Sequence, residues 1–153
     1  MEPRRLLTAM VEALNAHDIE RSTAFFSEDV LLTLRPEPPG SREGTHRGRA
    51  YFRRWLQGLF DRDFTIAIEI QKVEGTVVQT LTTTSMKTTR RLGLAPLVGI
   101  EDYVIENAQI TSLTWTATEE TRRKFAVLRT RFFIVAGVVA AAVVALAWWR
   151  LAR

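Results

Sequence analysis

The 153-residue sequence contains no cysteine, so disulfides, thiolate nucleophiles and cysteine-ligated zinc are excluded. Histidine is scarce, with only His17 and His46. No metal-ligand cluster, glycine-rich phosphate loop or nucleophile elbow is present, and no metal or cofactor is expected. Acidic residues are missing from the C-terminal part altogether, since the last of the 17 is Glu120. Residues 1–121 hold 14 of the 21 basic residues and all 17 acidic ones, a formal −3; residues 122–153 hold the other seven basic residues, a formal +7. The basic pI therefore belongs to the tail. A nucleic-acid-binding face would need clustered lysine and arginine on the globular part. Arg47, Arg49, Arg53 and Arg54 are the best such cluster, but they share one predicted helix with aromatics, so no nucleic-acid partner is expected.

What the tail does contain is FFIVAGVVAAAVVALAWW, residues 132–149, which has no charged side chain. As a helix it would span about 27 Å, close to the thickness of a hydrocarbon core. Phe132 and Phe133 stand at one end and Trp148 and Trp149 at the other, where an aromatic belt would lie. A core helix of a globular domain shows a polar stripe, and this run has none. The expectation is a single-pass transmembrane helix over 132–149, a short tail over 150–153 and a basic juxtamembrane helix over 121–131. Arg122, Arg123, Lys124, Arg129 and Arg131 precede the run, against Arg150 and Arg153 after it. The positive-inside rule then puts the N-terminal domain in the cytoplasm, a tail-anchored topology. Gly137, Ala141 and Ala145 recur every fourth residue, a spacing that lets two membrane helices approach closely.

In residues 1–120 the apolar period changes from helical to strand-like. Leu6, Leu7, Met10, Val11 and Leu14 predict a helix over 4–16, opened by Pro3. Asp18 is an N-cap for a short helix ending near Phe26, and 30–35 reads as a strand before the breaker PEPPGS. A third helix over 48–60 presents Tyr51, Phe52, Trp55, Leu56, Leu59 and Phe60. Beyond it, Phe64, Ile66, Ile68 and Ile70 alternate with polar residues, and 76–88 is a long β-branched run. Residues 100–106, a turn at Asn107-Ala108, and 110–118 form a hairpin, followed by a helix over 119–131. The order predicts an α+β domain with helices on one face of a curved, mainly antiparallel sheet.

An opening helix reaching NAHD, then FFSEDV, then THRGRAYFRRWLQGLF, LGLAPLVG and YVIENAQITSLTWT, resembles the SnoaL-like branch of the nuclear transport factor 2-like superfamily over about residues 5–120. The resemblance implies a cone-shaped barrel around an apolar pocket, commonly in a homodimer. Its members include ketosteroid isomerases, polyketide cyclases, epoxide hydrolases and proteins without known catalytic activity, so the fold names no reaction.

Catalytic members of this family hold a carboxylate inside the pocket. At the place where epoxide-hydrolase-like relatives carry an aspartate on the last strand, this sequence has Trp115 between Thr114 and Thr116. The arginine–aspartate pair of those relatives is missing as well. Three catalytic candidates remain. Asp102 alternates with Ile100 and Val104 and is either a pocket acid or a solvent-face acid; Glu101 has the opposite parity, and both cannot point inward. Asp29 is either an acid or a turn carboxylate, and His46, before the third helix, is either a base or a loop histidine. Tyr51, Trp55 and Trp115 are expected to line a pocket or simply the core, with Thr82 and Thr84 offering hydroxyls to a ligand. Three function classes fit these residues: a noncatalytic domain binding a lipophilic molecule or a protein partner at a membrane; an isomerase or cyclase acting on a lipophilic substrate; and a structural membrane-assembly module. The first leads, because the expected carboxylate pair is absent.

Overall fold

A computed structural model of the chain describes residues 2–35 and 45–130. Helix α1 (Pro3–Asn15) starts at Pro3, whose missing N–H costs nothing in a first turn. It buries Leu6, Leu7, Met10, Ala13 and Leu14, the 3–4 spacing seen in the sequence. Helix α2 (Ile19–Ala24) is capped by Asp18, whose carboxylate accepts the Arg21 N–H at 3.0 Å. Helix α3 (Arg49–Phe60) buries Phe52, Leu56, Leu59 and Phe60. Burial of each such side chain is worth about 1.5–3 kcal/mol, which outweighs the modest intrinsic helix preference of its aromatics.

The strands are β1 (Phe26–Arg35), β2 (Thr45–Arg47), β3 (Thr65–Glu74), β4 (Val77–Ser85), β5 (Leu97–Glu106) and β6 (Gln109–Ala117). They form one six-stranded sheet in the order β2-β1-β6-β5-β4-β3. Every pairing is antiparallel except β1 with β6, which is parallel. The sheet is thus mixed, and the parallel pair brings the first and last strands of the domain side by side. The β-branched run predicted as strand to residue 88 stops at Ser85. There Thr89 accepts the Met86 N–H through Oγ1 at 2.9 Å and opens a short helix, α4 (Lys87–Arg91). Side-chain capping has overridden β propensity at Thr88 and Thr89.

All helices pack on one face of the sheet, and that face carries two hydrophobic clusters. The larger joins α1 and α3 to Val30, Leu32, Val78, Tyr103, Ile105, Ile110 and Leu113. The smaller joins Leu94, Leu97, Trp115, Ala117 and Phe125, and Leu34 and Met86 border both. Phe125 belongs to a helix that covers residues 119–130. This helix is tied to the sheet at its start. Thr121 Oγ1 accepts the Val98 N–H at 2.9 Å and donates to the Val98 carbonyl at 2.8 Å. Among the described residues no helix is long and apolar enough to cross a membrane. The expected transmembrane helix 132–149 and the tail 150–153 lie outside the described residues.

Candidate functional site

Strand β5 alternates strictly. Leu97, Gly99, Glu101, Tyr103 and Ile105 face the helices, while Val98, Ile100, Asp102 and Val104 face outward and are half-buried. The acid inside the cone is therefore Glu101, only 6% exposed, and not Asp102. Asp102 sits on the outer face and accepts from Gln79 Nε2 at 2.9 Å. A β-bulge in β6 sets which residue of β5 Trp115 faces. Ile105 pairs with Ile110 but Val104 pairs with Ser112, leaving Thr111 as the extra residue. Beyond the bulge Trp115 lies opposite Glu101. In an unbroken ladder Trp115 would lie opposite Ile100, and an inward Trp115 would carry Asp102 inward with it.

Glu101 is held by a short chain of hydroxyls. Thr82 Oγ1 donates to Glu101 Oε2 at 2.7 Å, and the Tyr103 hydroxyl donates to the same oxygen. With its one proton committed, Thr82 accepts from Thr80 Oγ1 at 2.9 Å. Thr80 and Thr82 are fully buried on the same face of β4. Burial pushes the Glu101 carboxyl above the usual carboxylate range, opposed by the hydrogen bonds from Tyr103 and Thr82. Burial likewise raises the Tyr103 hydroxyl well above the ordinary phenol range, with the Glu101 charge and hydrogen bond adding to it. Glu101 and Tyr103 are the only buried side chains that titrate among the described residues.

Trp115 packs beside this network on the side of the smaller cluster. Its indole lies against Gly99; a Cβ at that position would meet Nε1 at 2.1 Å. Gly99 is thus required by close approach, and the glycine and the indole together form one wall beside Glu101. Among the hydroxyls expected to meet a ligand, Thr82 is part of the network, whereas Thr84 is half-buried and makes no side-chain hydrogen bond among the described residues.

The other expected site residues lie elsewhere. Asp29 is exposed on β1, not in a turn, and accepts from Ser27 Oγ of the same strand at 3.2 Å. His46, on edge strand β2, stacks on Tyr51 with ring centroids 4.5 Å apart. Trp55 tilts against Phe52 at 5.5 Å and is half-buried. Tyr51 and Trp55 thus pack at the margin of the larger cluster. Two of the three arginines of α3 are engaged in ion pairs. Arg49 pairs with Glu28 at 2.7 Å and Arg53 with Glu20, and these four residues line an open groove between α2 and α3. Among the described residues no group of three or more histidines and acids could hold a metal ion.

Similarity to known proteins agrees with this architecture. No curated protein matches the chain. Solved structures do. A protein from Xanthomonas campestris pv. campestris, provisionally named a polyketide cyclase, is 26% identical over 80% of this chain and 93% of its own, with a TM-score of 0.59. A provisionally named ketosteroid isomerase from Kribbella flavida is 21% identical over 76% of this chain and 77% of its own, again at 0.59. A protein of unknown function from Cytophaga hutchinsonii, described as like nuclear transport factor 2, is 17% identical over 77% and 95%, at 0.59. The family model of the SnoaL-like domain matches residues 7–113, which hold all six strands but the last four residues of β6, and the chain belongs to that family.

Proposed function

We propose that the domain binds a lipophilic small molecule through one hydrogen-bond acceptor, such as a carbonyl, without transforming it. The observation that carries this reading is the asymmetry of Glu101. Oε2 accepts two hydrogen bonds, whereas Oε1 has no partner among the described residues. Burial raises the carboxyl above its usual range, and a protonated Glu101 would donate from Oε1 to an acceptor. Among the described residues no second carboxylate is buried, and the apolar cluster containing Trp115 and Leu97, with Leu34 packed against it, lies on the same face of the sheet. Native mass spectrometry of the full-length protein purified in detergent tests the idea. A solvent-extractable small molecule is expected in the wild-type protein, with occupancy reduced in Glu101→Gln and lost in Glu101→Leu. A wild-type protein that neither carries one nor takes one up from a panel of lipophilic ketones refutes it.

One observation favours a second reading, an isomerase or cyclase. Ionised, Glu101 is a desolvated carboxylate, oriented by Thr82 and Tyr103, which would take a proton from the carbon beside a carbonyl and return it two carbons further on. Migration of a β,γ-unsaturated ketone into conjugation, followed by ultraviolet absorbance and abolished by Glu101→Gln, would establish this reading over the first.

In both readings the domain is held at the cytoplasmic face of a membrane by residues 132–149, on the strength of the uncharged run and the basic residues before it. Protection of an epitope placed after Arg153 in sealed vesicles is the expected result, and its cleavage from the cytoplasmic side would reverse the orientation. The homodimer implied by the family is a matter for the mass of the detergent-solubilised protein.

A further inference from the structure

Four large apolar side chains are exposed among the described residues: Val73, Val77, Leu92 and Val127. The first two flank the β3–β4 turn. The other two come from different parts of the chain and meet in one groove. Leu92 follows α4, Val127 lies on helix 119–130, and they are 48% and 51% exposed. Together with Gly93, Leu94, Glu120, Arg123, Lys124 and Leu128 they line a groove of about 310 Å³. Leu94, at its floor, is also a member of the cluster that contains Trp115.

The groove is lined by Arg123 and Lys124 against Glu120, and the segments that form it carry an excess of positive charge. Lys87, Arg90 and Arg91 lie in α4 with no acid among them, Arg90 being paired with Asp63. Residues 119–130 carry Arg122, Arg123, Lys124 and Arg129 against Glu119 and Glu120. Two of these cations are paired on the helix surface, Arg123 with Glu119 and Lys124 with Glu120. Such exposed pairs are weak and exchange readily for other anions. Lys124 also donates to the Pro96 carbonyl at 3.0 Å, which holds the helix against the loop before β5. An exposed apolar centre within a cationic rim complements an anionic lipid surface, whose headgroups meet the rim and whose acyl boundary meets Leu92 and Val127. Val127 stands five residues before the start of the uncharged run at Phe132.

We infer that the groove formed by Leu92–Leu94 and helix 119–130 seats on an anionic membrane surface, fixing the domain's orientation on the bilayer and turning the Trp115 side of its interior towards the lipid. This inference rests on the reading that residues 132–149 insert. A lipophilic ligand would then reach Glu101 from the membrane side.

The absence of native cysteine makes the test direct. An environment-sensitive fluorophore is attached to Leu92→Cys, Val127→Cys or Val73→Cys in the full-length protein. Each is reconstituted into vesicles of phosphatidylcholine with or without phosphatidylglycerol, some carrying brominated acyl chains. Labels at 92 and 127 are expected to be quenched by bromine in the anionic vesicles, and the label at 73 is not. Arg91→Gln or Arg123→Gln is expected to lower the ratio of docked to undocked domain about fivefold each. If the protein co-floats with vesicles but the labels at 92 and 127 stay as unquenched as that at 73, the docking surface is refuted while the anchor stands. Quenching that is equal with and without phosphatidylglycerol refutes the anionic partner. Failure to co-float at all removes the anchor and this inference with it.

Discussion

Glu101 and Asp102 are neighbours in one strand and carry the same chemical group, yet they occupy opposite environments. Glu101 faces the helices, takes two hydrogen bonds from its own sheet and sits against Trp115 and Gly99. Asp102 faces outward, half-buried, and is met by the surface amide of Gln79. The same division runs through β4, where Thr80 and Thr82 are fully buried and Thr83, the next residue on the other face, is half-buried. Identical side-chain chemistry thus becomes a candidate site on one face and ordinary strand surface on the other. What separates them is desolvation, which changes the protonation preference of a carboxyl and makes each of its hydrogen bonds costly to lose.

The largest expected break in this comparison is at Trp115. Trp115→Ala empties the wall beside Glu101 and should cost about 3–5 kcal/mol in urea unfolding, whereas Thr114→Ala on the opposite face should cost less than about 0.5 kcal/mol. Equal effects would mean that the indole does not fill the interior. Gly99→Ala comes next. Its methyl would enter the indole, so a loss of about 1–3 kcal/mol is expected, in contrast to a near-neutral Thr116→Ser on the outer face. Tyr103→Phe removes a donor from a buried carboxyl and should cost about 1–3 kcal/mol, against a change within about 0.5 kcal/mol for Asp102→Asn.

The smallest effect sharpens the electrostatic side. The folded Glu101 carboxyl is raised above its unfolded value, so the folded state binds the proton more tightly than the unfolded state does. The stability this contributes is complete below the unfolded pKa and is lost as pH rises through the folded one. Relative to Glu101→Gln, the wild-type protein should therefore lose stability as pH increases above the ordinary carboxylate range. Paired urea titrations across that range check the sign, and a wild-type protein that gains on the variant with rising pH would show that Glu101 is stabilised as an anion.

Much of the architecture was legible in the sequence. The 3–4 spacing of Leu6, Leu7, Met10 and Leu14, the Asp18 cap, and the alternation from Phe64 to Ile70 are local signals read against a single buried face, and each reappears in α1, α2 and β3. Strand β5 resisted such reading because both of its faces look apolar, Leu97, Tyr103 and Ile105 on one and Val98, Ile100 and Val104 on the other. Trp115 and Thr82 were recognisable as interior residues, but the bulge at Thr111 shifts Trp115 by one partner, so the acid beside it is Glu101. The one available signal was the hairpin itself. Ile110, Leu113 and Trp115 cannot all face inward on a regular strand, and their spacing requires an extra residue between the first two.

Local sequence signals, then, were enough for most of the helical and extended segments, for where the positive charge lies, and for the uncharged run 132–149. These properties depend on neighbours in the chain, on periodicity and on composition. Tertiary structure alone decided which carboxyl is desolvated, which hydroxyls hold it, and that Leu92 and Val127, 35 positions apart, border one groove. Those outcomes depend on cross-strand register and on helix docking, where one bulged residue exchanges the two faces of the register and no local pattern records the choice.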